Sequence, residues 1–136
     1  MFKKFSRVLV TLLFILSICF AYLVNARPIF LDYGGEYEIY FLNGSFTAPQ
    51  KTNSKILPLG VKGEACTIYD KTAEELFSDF NADVIFIEEI DGGINYYGYS
   101  PKIRYTQSIN GKIVNLHVFV GKENIKVGTP IIFGSY

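Results

Sequence analysis

Cys66 and His117 are the side chains of this sequence best suited to nucleophilic or acid–base chemistry. A thiol and an imidazole become an activated nucleophile when they come within hydrogen-bond reach. No local signature of a thiol enzyme surrounds either residue. Cys66 falls mid-strand in "GEACTIYD", with Glu64 and Ile68 on its side and Ala65 and Thr67 on the other, where a free cysteine is expected to be buried and inert. His117 is the single histidine. A hairpin across Asn110-Gly111 sets it opposite Arg104, whose charge disfavours the imidazolium, so a neutral sheet histidine is expected. Zinc needs several Cys or His ligands, and one of each beyond the N-terminal segment does not make a site. Glu88, Glu89 and Asp91 could serve Ca²⁺, but the spacing of a calcium loop is absent. Neighbouring Glu88 and Glu89 point to opposite faces of a regular strand, so they are not a glycosidase pair. Phosphate loops, nucleophile elbows and dinucleotide fingerprints are also absent. The sequence therefore leans away from catalysis and implies no cofactor.

The stretch "GGINYYGYSPKI" carries the most concentrated aromatic signal. Hairpin pairing across Asp91-Gly92 or Gly92-Gly93 gives the same sidedness, because the two registers differ by an even step. Tyr96 and Gly98 then share a face with Ile85 and Ile87. Tyr97 and Tyr99 share the other with Val84, Phe86 and Glu88. The three tyrosines cannot form one platform. Sheet packing accounts for them as strand residues. As a binding surface, the candidate set is Tyr97 and Tyr99 with nearby Asn95 and Lys102, since exposed aromatics mark interfaces.

The elements that must position these residues follow from period and turn chemistry. Tyr37, Ile39 and Phe41 alternate with Glu36, Glu38 and Tyr40, which predicts a strand over Gly35 to Leu42. Asn43 to Lys55 reads as a polar loop, with a return beginning at Leu57 and Leu59. Lys62 to Asp70 reads as a second strand. Thr72 and Glu75 make a capping box, and Ala73, Leu76, Phe77 and Phe80 form one apolar stripe, so a helix is expected at about 72–81, stopping at Asn81. Strands are predicted at Asp83 to Asp91, along "INYYGYS", at Lys102 to Ile109, at Lys112 to Val120 and at Ile125 to Phe133. The last of these could pair with a partner chain if it lay at a sheet edge. The fold class is α+β: a mainly antiparallel sheet of about six strands with one short helix on one face.

Lys3, Lys4 and Arg7 precede an uncharged apolar run from Val8 to Val24. A basic start, an apolar middle and small residues at Val24 and Ala26 fit an export signal cleaved before Arg27. The run also reaches the lower limit of a membrane span, so an uncleaved anchor is the alternative. In both cases the basic end stays in the cytoplasm and the rest is extracytoplasmic. Cys19 is not a lipidation site, because Ile18 is too large for the position before it. Residues 1–26 are thus a signal peptide or anchor, and 27–136 form one small domain. The chain has 13 basic and 13 acidic residues; without Lys3, Lys4 and Arg7 the remainder carries 10 against 13. A mildly acidic domain of this kind disfavours nucleic-acid binding. Acidic residues gather between Glu64 and Asp91, and basic ones after Lys102, which predicts an electrically two-sided domain that could meet a charge-matched partner.

The phrases "YYGYSPKI", "NGKIVNLHVFV" and "VGTPIIFGSY" resemble short exported proteins of Firmicutes, especially clostridia, which carry an N-terminal apolar segment and end in a "GTPIIFG"-like phrase. The resemblance covers about Gly63 to Tyr136. It implies a bacterial, exported protein and brings no assigned chemistry with it. The expected function is a non-catalytic binding or interaction domain at the cell envelope, recognising a protein or an envelope component. The alternatives are a small extracytoplasmic enzyme using Cys66 or His117, and a membrane-anchored structural accessory protein.

Overall fold

The computed structural model describes residues 2–25, 27–33, 35–41, 50–52 and 60–133. An apolar helix, α1 (Phe2–Asn25), precedes the sheet domain. Its segment Lys4–Val24 is long enough to cross a membrane or to serve as an export signal, at about 30 Å by the helical rise. None of it is buried against the rest of the chain.

The strands are β1 (Glu36–Phe41), β2 (Gln50–Thr52), β3 (Val61–Ile68), β4 (Asp83–Ile90), β5 (Gly93–Tyr99), β6 (Gln107–Ile109), β7 (Lys112–Val114), β8 (Leu116–Gly121) and β9 (Ile125–Thr129). Seven of them form one antiparallel sheet in the order β2-β1-β3-β9-β8-β5-β4, and β6 pairs with β7 as a separate hairpin. A second helix, α2 (Ala73–Asp79), links β3 to β4 and crosses one face. The fold is α+β, as the pattern of elements predicts.

Helix α2 starts where the sequence can satisfy its free amides. Thr72 Oγ1 accepts the Glu75 N–H at 3.2 Å, and Glu75 Oε2 accepts the Thr72 N–H at 2.7 Å. The helix ends at Phe80, and Asn81 follows with φ +50°. Leu76, Phe77 and Phe80 pack with Cys66, Ile68, Leu116, Val118 and Val127 into the main core. Phe30 seals that core edge-on to Phe80 at 5.7 Å. Thr72→Ala removes one side of the reciprocal cap and is expected to cost about 1 kcal/mol of stability. Urea denaturation would check this, and an unchanged midpoint would show the box to be idle.

The opposite face is closed by the end of the chain. After Thr129 the chain turns back, and residues 130–133 lie across β9, β3 and β1. Phe133 packs on Tyr40 at 5.6 Å between ring centroids. Gly63 and Gly128 form the floor beneath this strap. A Cβ at Gly63 would collide with the Phe133 ring, and one at Gly128 would press into Ile132.

Several strand expectations change. Ile125–Thr129 is central, between β3 and β8, and residues 130–133 are not strand. It is therefore not an edge. Lys102 to Ile109 is strand only over Gln107–Ile109. Lys112 to Val120 is split at Asn115, which is fully buried. Asn115 Oδ1 accepts the Ser100 N–H at 2.6 Å, and its Nδ2 donates to the carbonyls of Ser100 and Ile103 at 2.7 and 3.0 Å. Its side chain thus satisfies that turn, while its own N–H donates to the Gly98 carbonyl of β5 at 2.9 Å. Gln50–Thr52 pairs with β1 inside the segment expected to be loop. The rest of that loop, and Leu57 and Leu59, lie outside the described residues.

Candidate functional site

The residues with chemical potential fall into two separate groups, one on each face of the sheet. On the helix-covered face, register pairs Cys66 with Val127, and Val127 with Val118. On the other face, His117 pairs with Gly128 and with Tyr97. Cys66 and His117 therefore point to opposite sides of the sheet and do not form a nucleophilic pair. Cys66 is buried, and desolvation pushes its thiol up to about 11, against a smaller lowering by the Gly35 amide. A thiol of that kind is not a nucleophile at neutral pH.

Asn95, Tyr97 and Tyr99 follow one another at every second position of β5, so they share a face as expected. The register is the one across Asp91-Gly92, with Ile87 opposite Tyr96. A bulge between Val84 and Phe86 changes one assignment: Val84 pairs with Gly98 and joins the Tyr96 side, not the Tyr97 side. Depth differs sharply along this row. Asn95 and Tyr97 are buried, with Tyr97 8% exposed, whereas Tyr99 is 39% exposed. Lys102 is exposed, and its backbone N–H donates to Ser100 Oγ at 3.1 Å. The structure thus joins Asn95 to Tyr97 through Glu88 and leaves Tyr99 and Lys102 at the surface. As an exposed surface, the four-residue set reduces to Tyr99 and Lys102.

His117 sits at the centre of a polar chain. The Ile132 N–H donates to His117 Nδ1 at 3.1 Å. Nδ1 is therefore the unprotonated nitrogen, and Nε2–H donates to Asn95 Oδ1 at 2.8 Å. Asn95 Nδ2 in turn donates to Glu88 Oε2 at 3.4 Å, and the Tyr97 hydroxyl donates to the same oxygen at 3.3 Å. Rings stack beside this chain: Tyr97 on His117 at 4.3 Å, and Phe86 on Tyr97 at 4.4 Å. Lys112 Nζ lies 5.5 Å from the Phe86 ring centre, a cation–π contact. Burial pushes the His117 imidazole down to about 4. The neighbour expected to disfavour its charge, Arg104, is not its strand partner, because the hairpin pairing stops at Gln107 and Val114. The histidine is neutral for a different reason: it is enclosed.

The sequence reading passed over Glu64. Its carboxyl is buried on the helix-covered face, and its Oε1 accepts the Ile29 N–H at 2.7 Å. Its Oε2 and the hydroxyl of its cross-strand neighbour Thr129 are buried and, among the described residues, have no hydrogen-bond partner. Desolvation raises the Glu64 carboxyl to about 7, opposed by the Ile29 and Phe30 amides and the charge of Arg104. The signal in "KGEACTI" is that Glu64 shares its side of the strand with Cys66 and Ile68, the residues expected to be buried. Among the described residues, no three Asp, Glu, His or Cys side chains are grouped as metal ligands.

Exposed apolar side chains gather along the outer strands. Val84, Ile87 and Tyr99 lie on β4 and β5, and Ile113 on the hairpin whose Lys112 reaches Phe86. No family model, no curated protein and no solved structure matches the chain.

Proposed function

We propose that the chain is a non-catalytic binding domain, extracytoplasmic, with α1 as its export signal or anchor and its N-terminus in the cytoplasm. The observation that carries this reading is the use made of the reactive groups. His117 and Asn95 are enclosed in a hydrogen-bond chain that runs from the Ile132 amide to the Glu88 carboxylate, and Cys66 is sealed in the core on the other face. Accessible apolar side chains at the β4 side of the sheet lie on both of its faces, Val84 and Ile87 on the helix side and Tyr99 on the other, and exposed side chains of this kind are ones that protein interfaces use. The partner is a protein or an envelope component, and the resemblance to exported Firmicute proteins is consistent with that place.

Photo-crosslinking in the cells that make the protein tests this. A photoreactive phenylalanine analogue at Tyr99 is expected to give discrete adducts of defined mass. The same analogue at Tyr69, which is more exposed but lies beyond the end of β3, is expected to give none. Equal labelling at both positions, or none at Tyr99, removes the reading.

A further inference from the structure

We infer that the free edge of β4 takes up an extended basic segment of a partner protein as an added strand. This rests on the binding-domain reading and names the chemistry of the partner. β4 is eight residues long and ends the sheet, paired on one side with β5 and, among the described residues, with nothing on the other. An edge strand presents a row of unpaired N–H and C=O groups that template another strand. Natural edges are blunted by charged side chains, lysine above all, by proline or by a bulge, so the charges on β4 select against a like-charged strand. β4 has no lysine and no proline, and its bulge lies near its start, so Phe86 to Ile90 runs in regular register.

Side chains along this edge specify the occupant. Ile87 is 55% exposed on the helix side, and Val84 is exposed on the same side. A docked strand would cover both with its own apolar residues. Asp83, Glu88, Glu89 and Asp91 are all exposed, and no basic residue lies between them. Glu88 and Glu89 point to opposite faces, so an incoming strand meets a carboxylate on each. Glu88 is held in place by Asn95 and Tyr97. Pairing of two copies through β4 would set the same four acids of each chain along one ribbon, which like-charge repulsion opposes. A strand alternating lysine or arginine with apolar residues matches instead: apolar side chains beside Val84 and Ile87 on the helix side, cations beside Glu88 on the other face, and backbone bonds throughout.

The test uses the full chain in detergent micelles and two short synthetic peptides, one alternating lysine with valine and one alternating glutamate with valine. The lysine peptide is expected to bind and to slow hydrogen exchange at the Phe86 to Ile90 amides. The glutamate peptide is expected not to bind. Ile87→Lys combined with Glu89→Lys is expected to weaken the lysine peptide by about tenfold or more, with the milder Glu89→Gln falling between. Both positions are exposed, so an unchanged melting temperature separates loss of binding from loss of fold. A lysine peptide that does not bind, that binds both proteins alike, or that protects amides elsewhere overturns strand addition. The Tyr99 crosslink in cells then decides the broader reading: adducts that persist leave the binding domain standing, and their absence withdraws both.

Discussion

Glu64→Gln is expected to stabilise the protein at pH 8 by about 3 kcal/mol, and to change little below about pH 4.5. The carboxyl of Glu64 titrates at about 7 in the fold against 4.5 for an ordinary glutamate, mainly because burial penalises its charge. Between those values the folded chain holds a proton that the unfolded chain has released. Stability from this group is therefore complete below pH 4.5 and lost as pH rises through 7. A shift of that size corresponds to about 3 kcal/mol. Glutamine keeps an oxygen for the Ile29 amide and adds an N–H facing the side where the Thr129 hydroxyl lacks a partner. Urea unfolding at pH 4.5, 6 and 8 reads the effect directly. A variant less stable than the wild type at pH 8 would mean that the ionised carboxylate, with Arg104 nearby, is the form the fold requires.

The second large effect has the opposite sign. His117 titrates at about 4 in the fold against 6.5 in the unfolded chain, because burial disfavours the imidazolium. Its contribution is complete above pH 6.5 and lost as pH falls through 4, again by about 3 kcal/mol. Charging the ring would also put a proton on Nδ1, where the Ile132 N–H already donates. His117→Gln keeps one acceptor and one donor but forfeits the stack on Tyr97, a cost of about 1 kcal/mol at neutral pH. It is expected to recover that cost on acidification and to exceed the wild type near pH 4. In the wild type, the Glu64 and His117 slopes oppose each other between about pH 4.5 and 6.5 and largely cancel. Each single variant should uncover the slope of the other group. Parallel pH profiles for wild type and both variants would refute the pairing.

What the sequence made legible was what local chemistry decides. The capping box at Thr72 and Glu75, the turns at Asp91-Gly92 and Asn110-Gly111, and the sidedness of Tyr96 against Tyr97 all depend on neighbours within a few residues. The sheet order does not. Val127 and Thr129 lie in mid-sheet because β3 and β8 meet on either side of them, a long-range choice that an alternating pattern cannot express. Depth was equally hidden. Tyr97 and Tyr99 share a face and a residue type, but Tyr97 is sandwiched between the Phe86 and His117 rings while Tyr99 lies past the end of that stack. Asn115 looked like an ordinary strand residue, and the turn at Ser100 to Ile103 that claims its amide is more than ten positions away.

The junction between α1 and the sheet domain has a mechanical consequence. Helix α1 runs to Asn25, and Pro28 is already buried, with the Ile29 amide fastened to Glu64. Three residues, fully extended, span about 10 Å. Where α1 stays in the bilayer, that is the whole leash. The domain then swivels against the lipid headgroups and does not roam above them. Its encounters become a search in two dimensions, at a high local concentration of whatever shares that surface. A weak contact at a strand edge suffices under those conditions, and the same contact would be ineffective for a copy released into the medium.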